Sequence, residues 1–350
     1  MTAGQYRSRS LAGCVVAFSV AYERDNLLAR GMGWEHLRGL LLCLARLMLR
    51  HSADLAYGGN WKKTDDNFLF PLLDLICAEQ EDEGLGIRRD NGNDLSELDA
   101  NPHVSKLYNH LAWPWYLNIT PTLEAQWVNC CRIVRVRQQD AGFLEADIVA
   151  DSDAHDGTLR SAFNAAVTVS KMRRVMMEKM EIRVPDAPPG TVPPAIARVL
   201  LGGKVERYSG FLPGIFEEAL VTLEKQRPVY ILGGFGGAAE KLAEAILDTG
   251  TDRHEVLTLD WHKAQNLKLG ELLEYAHTST PPRDFVGTAA MLDALFSFVQ
   301  NARADLSGTL NTGLSDEETR ELLQTQNVNN AVRLVRTGLE KIYNLPSLTA

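Results

Sequence analysis

The chain has no apolar run approaching the roughly 18 consecutive residues that a membrane span requires, so no membrane association is expected. It also has no dense Lys/Arg stripe. Its 36 basic residues are outnumbered by 45 acidic ones, a formal net charge of −9. Neutralising a phosphate backbone needs a basic face, which excludes a nucleic-acid polymer as partner, but one basic pocket for a small anion remains compatible with this balance. Cysteine is sparse. Five residues, Cys14, Cys43, Cys77, Cys130 and Cys131, give an odd count without a C-x-x-C pair. That argues against a disulfide framework or a zinc site and favours a reducing, cytoplasmic compartment. Repeats and low-complexity segments are absent, and so is the G-x-G-x-x-G dinucleotide fingerprint. His103, His110, His254, His262 and His277 share no ligand spacing, and neither a metal nor a cofactor is expected. The cluster Asp151, Asp153, His155 and Asp156 directly precedes a helix, where such residues read as N-terminal caps.

What is present is an ordinary globular composition, 45% hydrophobic and 23% charged. Arg7 and Arg9 precede Leu11-Ala12-Gly13-Cys14, which resembles a lipoprotein cleavage site. The apolar segment follows that tetrad instead of preceding it, so a buried strand over 11–20 is expected. Leu37, Leu40, Leu41, Leu44, Leu47 and Met48 have helical spacing and predict a helix over 34–50. A strand over 53–57 and a helix over 68–78 follow, the alternation of a parallel sheet covered by helices. Residues 79–126 break the pattern and read as an insertion covering a sheet edge. The aromatics Trp113, Trp115 and Tyr116 within it serve either that cover or a stacking wall for a base. Further on we expect a strand near 131–136, a helix over about 158–180 and a proline-rich loop over 185–194. Strands over 197–201 and 228–232, helices over 214–224 and 238–248, and a strand over 255–259 complete the pattern. The expected organisation is an α/β domain over 1–283, a three-layer Rossmann-like parallel sheet. A helical extension over 284–350 packs on it, in three pieces broken near 306–313 and at Gln326.

Four constellations carry chemistry. Tyr57-Gly58-Gly59 closes a strand, where glycines let backbone N–H groups approach an anion. Met172-Arg173-Arg174 lies late in a long helix, and adjacent helical residues point about 100° apart, so at most one arginine faces a given site. The segment Gly202-Gly203-Lys204 ends a strand and precedes Pro213-Gly214, which opens a helix bearing Glu217 and Glu218. Free backbone donors at a helix start suit phosphate, and Lys204 adds a point charge. Finally, Gly233-Gly234-Phe235-Gly236-Gly237 places four glycines in five positions between a strand and a helix, a loop where only backbone fits against a ligand or a neighbouring helix.

Taken in order, and with the opening Phe18-Ser19-Val20, these motifs resemble the SLOG superfamily, specifically its bacterial branch related to the cytosolic domain of TRPM channels. The resemblance runs from about Val15 to Leu247, with Gly313-Leu314-Ser315-Asp316-Glu317-Glu318 as a further likeness in the tail. It implies a ligand site built from Ser19, Tyr57, Gly58, Gly59, an arginine of the Arg173-Arg174 pair, Gly202, Gly203, Lys204, Pro213, Gly214, Glu217, Glu218 and the 233–237 loop. The superfamily includes the Lonely Guy enzymes, which hydrolyse the N-glycosidic bond of nucleoside monophosphates. By that likeness Arg173 or Arg174 and Glu218 would carry catalysis. Here an insertion over 205–212 separates the Gly-Gly-Lys and Pro-Gly parts, and a Gly-Thr step is missing. The same departure occurs in SLOG domains of antiphage systems that sense NAD-derived messengers. Three roles stay open: a sensor of an ADP-ribose-like or cyclic nucleotide, a nucleotide N-glycosidase, and a scaffold with a vestigial site. The partner implied is a nucleotide-type small molecule, with homo-oligomerisation and a separate effector protein as routes of output.

Overall fold

The computed structural model describes residues 10–64, 67–82, 106–182, 190–250 and 252–346. In chain order, strand β1 (Val15–Ala21) leads to helices α1 (Arg24–Leu28) and α2 (Trp34–Arg50), then β2 (Asp54–Tyr57) and α3 (Leu69–Asp82). Next come β3 (Leu107–Ala112), α4 (Pro121–Gln126), β4 (Cys131–Val136) and α5 (Leu159–Val175). A short antiparallel ribbon, β5 (Met180–Ile182) with β6 (Gly190–Val192), precedes β7 (Ala195–Gly202), α6 (Gly214–Glu224), β8 (Val229–Leu232) and α7 (Gly237–Leu247). Helices α8 (Leu259–Gln265), α9 (Leu267–Thr278), α10 (Thr288–Ala304), α11 (Leu306–Leu310), α12 (Asp316–Gln324) and α13 (Val328–Tyr343) complete the described chain.

Six strands form one parallel sheet in the order β4-β3-β2-β1-β7-β8. Alternation along each strand sends side chains to two faces. From β1, Val16, Phe18 and Val20 join α2, α3 and α13 in one core. From β7 and β8, Leu200, Val229 and Ile231 face α6, α7 and α10 in a second. Each strand is buried on both faces, as helix-covered parallel sheets require. The tail wraps the β8 edge: α10 covers α6 and α7, whereas α13 lies beside α2 on the opposite face.

Several expectations change. Residues 107–112, expected within an insertion covering the sheet edge, form β3, paired on both sides inside the sheet. Asn109 and His110 interrupt its apolar pattern, yet both are buried, Asn109 donating to the carbonyls of Tyr57 and Gly59 at 3.1 and 2.8 Å. The acidic stretch before it lies largely outside the described residues. Residues 255–257 make a 3-10 turn in place of a strand, because Thr258 then caps α8 by accepting from the Trp261 amide. The 185–194 loop includes β6, and α5 ends at Val175, short of 180. Among the described residues beyond 284 there are four helices, not three pieces, because Leu306–Leu310 forms a short helix of its own. Cys77 and Cys130 form a disulfide joining α3 to the start of β4. An odd cysteine count does not exclude a single bridge, and the two residues come together only across the sheet edge. Cys131 remains a buried thiol, its pKa pushed up to about 12 by desolvation. Among the described residues no helix is long and apolar enough to cross a membrane.

The α2–α13 packing makes the tail part of the core. Leu334 has no solvent exposure. Leu334→Ala is expected to lower unfolding free energy by about 2–5 kcal/mol, read from urea denaturation.

Candidate functional site

From β1 the chain steps through β2 and β3 to β4, then returns to place β7 on the other side of β1. Loops at the carboxyl ends of β1 and β7 therefore leave in opposite directions and open a crevice, the usual ligand position in such sheets. Ser19, Val20 and Ala21 end one strand, and Gly202-Gly203-Lys204 the other. The Gly203 amide donates to the Ala21 carbonyl at 2.9 Å, holding the two ends together. Gly202 and Gly203 have φ of +62° and +95°, and a Cβ at Gly203 would lie 2.3 Å from Ile215 Cγ1. The glycines thus allow α6 to start directly at the crevice. Pro213 is the α6 N-cap and supplies no side-chain acceptor, so the first N–H groups of the helix, from Gly214 and Ile215, are not capped by it. The resulting cleft has a volume of about 190 Å³.

Two charge pairs form its base. Arg173, from α5, is paired with Glu217 and donates to the Ser209 carbonyl at 3.1 Å. Gly210 and Gly214 make room for it, since a Cβ at either would stand 3.1–3.2 Å from its guanidinium nitrogens. Beneath lies Arg198, on β7 and fully buried. Its Nη1 donates to Ser19 Oγ at 3.2 Å and lies 3.5 Å from Glu218 Oε1, and Nη2 donates to the Arg173 carbonyl at 3.4 Å. Burial lowers the Arg198 pKa and Glu218 opposes that shift. Glu218 itself is 12% exposed and lines the cleft. Lys204 lines it too, is exposed, and has no ion-pair partner among the described residues. On β3, burial brings the pKa of His110 down to about 4, with Arg198 adding to the effect.

The cleft brings together Ser19, Tyr57, Gly58, Arg173, Gly203, Lys204, Gly214 and Glu218. Gly59 is buried against the Tyr57 ring, Gly202 against the Ala21 carbonyl, and Pro213 stands at the helix start. Glu217 is spent on Arg173. Arg174 points away and pairs with Glu224 at 2.8 Å. The 233–237 loop is also elsewhere: Gly233 and Gly234 press on the carbonyls of Leu323, Gln324 and Thr325 beyond or within α12, and Phe235 is core. Only Gly237 reaches back, abutting Gly202 and Gly203, while Asn26 Oδ1 accepts its amide at 3.0 Å and the Gly203 carbonyl accepts that of Ala238 at 3.0 Å. The start of α7 is thereby satisfied by protein. Trp113 is also core, its Nε1 donating to Asp151 Oδ1 at 2.9 Å. Asp156 holds Thr158, the α5 N-cap, through bonds of 2.8 and 2.9 Å.

Sequence reasoning missed Arg198, Glu23 and Tyr208. An arginine inside the apolar run of β7 is a legible signal, because a charge there must find a buried partner. Glu23 accepts from the Val205 and Glu206 amides at 3.2–3.3 Å, and Tyr208 shares a 3.2 Å hydrogen bond with Nδ1 of buried His262. Neither has a local sequence signal.

The two arginines separate experimentally. Arg173→Ala leaves Glu217 buried without its partner and is expected to cost about 3–5 kcal/mol of stability, whereas Arg174→Ala, at a part-exposed pair, costs under about 1 kcal/mol. Urea unfolding of both variants checks the order. His110 and His262, both held near 4 by burial, lie below the ordinary value of about 6.5, so the stability they confer is complete above about 6.5 and is lost as pH falls towards about 4. Unfolding at pH 7.5 and 4.5 should show the native chain losing more than His110→Asn or His262→Asn, by up to roughly 3 kcal/mol each.

No curated protein matches the chain. A family model described as SLOG cluster2 matches residues 10–185 and 193–322, passing over the segment around β6 and ending before α13, and taking in the six-stranded sheet, the cleft and the tail as far as α12. Coverage of that extent, over a parallel sheet whose glycine loops and charge pairs converge at one crevice, shows that the chain belongs to the SLOG superfamily, in its cluster2.

Proposed function

We propose that the crevice between β1 and β7 binds a phosphorylated, ribose-bearing nucleotide as a signal, of the ADP-ribose, NAD-derived or cyclic nucleotide class, in a bacterial antiphage system. The observation that carries this reading is the division of charge in the cleft. Arg173 and Arg198 are each matched by a glutamate, while exposed Lys204 has no ion-pair partner among the described residues and stands beside the start of α6, which has no side-chain cap. A phosphate at that point meets a cation and backbone donors together. Glu218, held by Arg198, accepts from a ribose hydroxyl, and Ser19 and Gly58 line the remaining wall. Output passes through assembly or a separate effector protein.

A second reading, nucleotide N-glycosidase, draws on the same Glu218, placed to stabilise an oxocarbenium-like ribosyl centre or to activate water. It also asks Arg173 to hold the phosphate. That guanidinium is already engaged by Glu217 and the Ser209 carbonyl, which favours binding over hydrolysis.

Calorimetry against ADP-ribose, cyclic ADP-ribose isomers, NAD, AMP and cyclic dinucleotides, followed by chromatography of each mixture, separates the two. The sensor reading expects binding of at least one ligand, recovered intact, and a loss of roughly tenfold or more in Lys204→Ala. Release of free base that disappears in Glu218→Gln would establish the glycosidase instead, and no binding to any of them would remove both.

A further inference from the structure

The cleft is smaller than the ligand class proposed for it. Its volume of about 190 Å³ lies below the roughly 300–1,000 Å³ common for small-molecule sites. A second concavity of about 980 Å³ lies directly beside it, and the two share Tyr208 and Ser209 as a common wall. The wall comes from the 205–212 segment, the same insertion that separates the Gly-Gly-Lys and Pro-Gly motifs. It is firmly held: the Arg207 amide donates to the Gln265 carbonyl at 3.2 Å, Asn266 Nδ2 donates to the Tyr208 carbonyl at 3.1 Å, and Arg173 grips the Ser209 carbonyl. The insertion therefore does more than interrupt a motif. It ties the crevice to the α8–α9 junction and shapes the larger groove.

The groove has the chemistry of a subsite for a base and a second phosphate. Its floor is the small-residue face of α5, formed by Ala162, Ala165 and Ala166, and part-exposed Trp115 stands on its wall. Arg207 and Lys268 line it, both exposed and both without ion-pair partners among the described residues. Among the described residues Glu206 is the one carboxylate in the lining, so Arg207 and Lys268 face a single anion in a chain of net charge −9. A planar ring finds an aromatic side chain and small apolar residues here, and a phosphate finds two cations.

Building on the phosphate-binding role of the cleft, we infer that this groove is a second subsite, and that the ligand is an extended two-phosphate molecule. One phosphoribosyl end sits in the cleft by Lys204 and α6, and the chain crosses Tyr208–Ser209. The base-bearing half lies in the groove, with its ring against Trp115 and its phosphate near Arg207 and Lys268. Specificity for length and base thus resides in the insertion and the α8–α9 junction, outside every glycine motif.

Calorimetry on the intact chain with ribose 5-phosphate and ADP-ribose as probes tests this. ADP-ribose is expected to bind roughly a hundredfold tighter than ribose 5-phosphate. Lys268→Glu and Arg207→Asn change exposed side chains, asparagine being chosen because residue 207 has φ of +48° and tolerates it there. Each should weaken ADP-ribose roughly tenfold and leave ribose 5-phosphate unchanged, and Trp115→Ala should do the same, with Trp115→Phe retaining affinity. Lys204→Ala should weaken both probes. Equal affinity for the two, or groove variants that leave ADP-ribose binding untouched or weaken both probes alike, overturns the second subsite while leaving the cleft reading in place. Binding of neither probe overturns the second subsite, and overturns the cleft reading as well when NAD, AMP and the cyclic nucleotides also fail to bind.

Discussion

The fully buried guanidinium of Arg198 constrains everything around it. A cation removed from water inside a parallel sheet requires a facing anion and hydrogen-bond acceptors, and it draws them from three other elements: Ser19 on β1, the Arg173 carbonyl on α5 and Glu218 on α6. Those elements are consequently held in one register at the carboxyl ends of the strands. Glu218 cannot turn into the core or fold onto solvent without leaving that charge unmatched, so a carboxylate is presented at the floor of the crevice. The neighbouring Arg173–Glu217 pair repeats the arrangement one step along α6 and extends it to the 205–212 loop. With both arginines neutralised, Lys204 is left as the cleft cation without an ion-pair partner among the described residues.

The glycines serve this arrangement in two separate ways. Gly202, Gly203, Gly210 and Gly214 let backbone and guanidinium come close enough for α6 to open on the crevice. Those of the 233–237 loop, the densest glycine run in the chain, mostly bring the β8 edge against α12 and let α7 start beside Gly202 and Gly203. The tail is therefore not a separate lid. Through α10 on one face and α13 on the other it completes both cores, and through α12 it explains why two of those glycines carry no side chain.

Much of the α/β alternation was readable directly. The Leu37–Met48 spacing matches α2, the glycine-terminated apolar runs match β2, β7 and β8, and the Pro213-Gly214 start matches α6. These are local signals: periodicity, a helix stop and a turn depend on neighbours within a few residues. β3 was hidden because Asn109 and His110 look like loop residues until the carbonyls of Tyr57 and Gly59 are seen to satisfy one, and burial to keep the other neutral. The 255–257 segment failed for the opposite reason, since a short apolar run fits a strand or a buried turn equally well.

By itself, then, the sequence determined the superfamily, the parallel sheet and several of the residues that line the cleft, Lys204 and Glu218 among them. Each of these is written in motifs whose order and local geometry hold whatever they fold against. Which member of each adjacent pair faces the cleft was decided only by tertiary structure. Arg173 and Glu217 turn inward to each other, Arg174 turns out to Glu224, and Glu218 is claimed by Arg198. The Cys77–Cys130 bridge and the groove beside Tyr208 were decided the same way. Their common physical reason is distance along the chain: these partners lie tens of residues or more apart, and only burial of one charge or thiol beside another selects them.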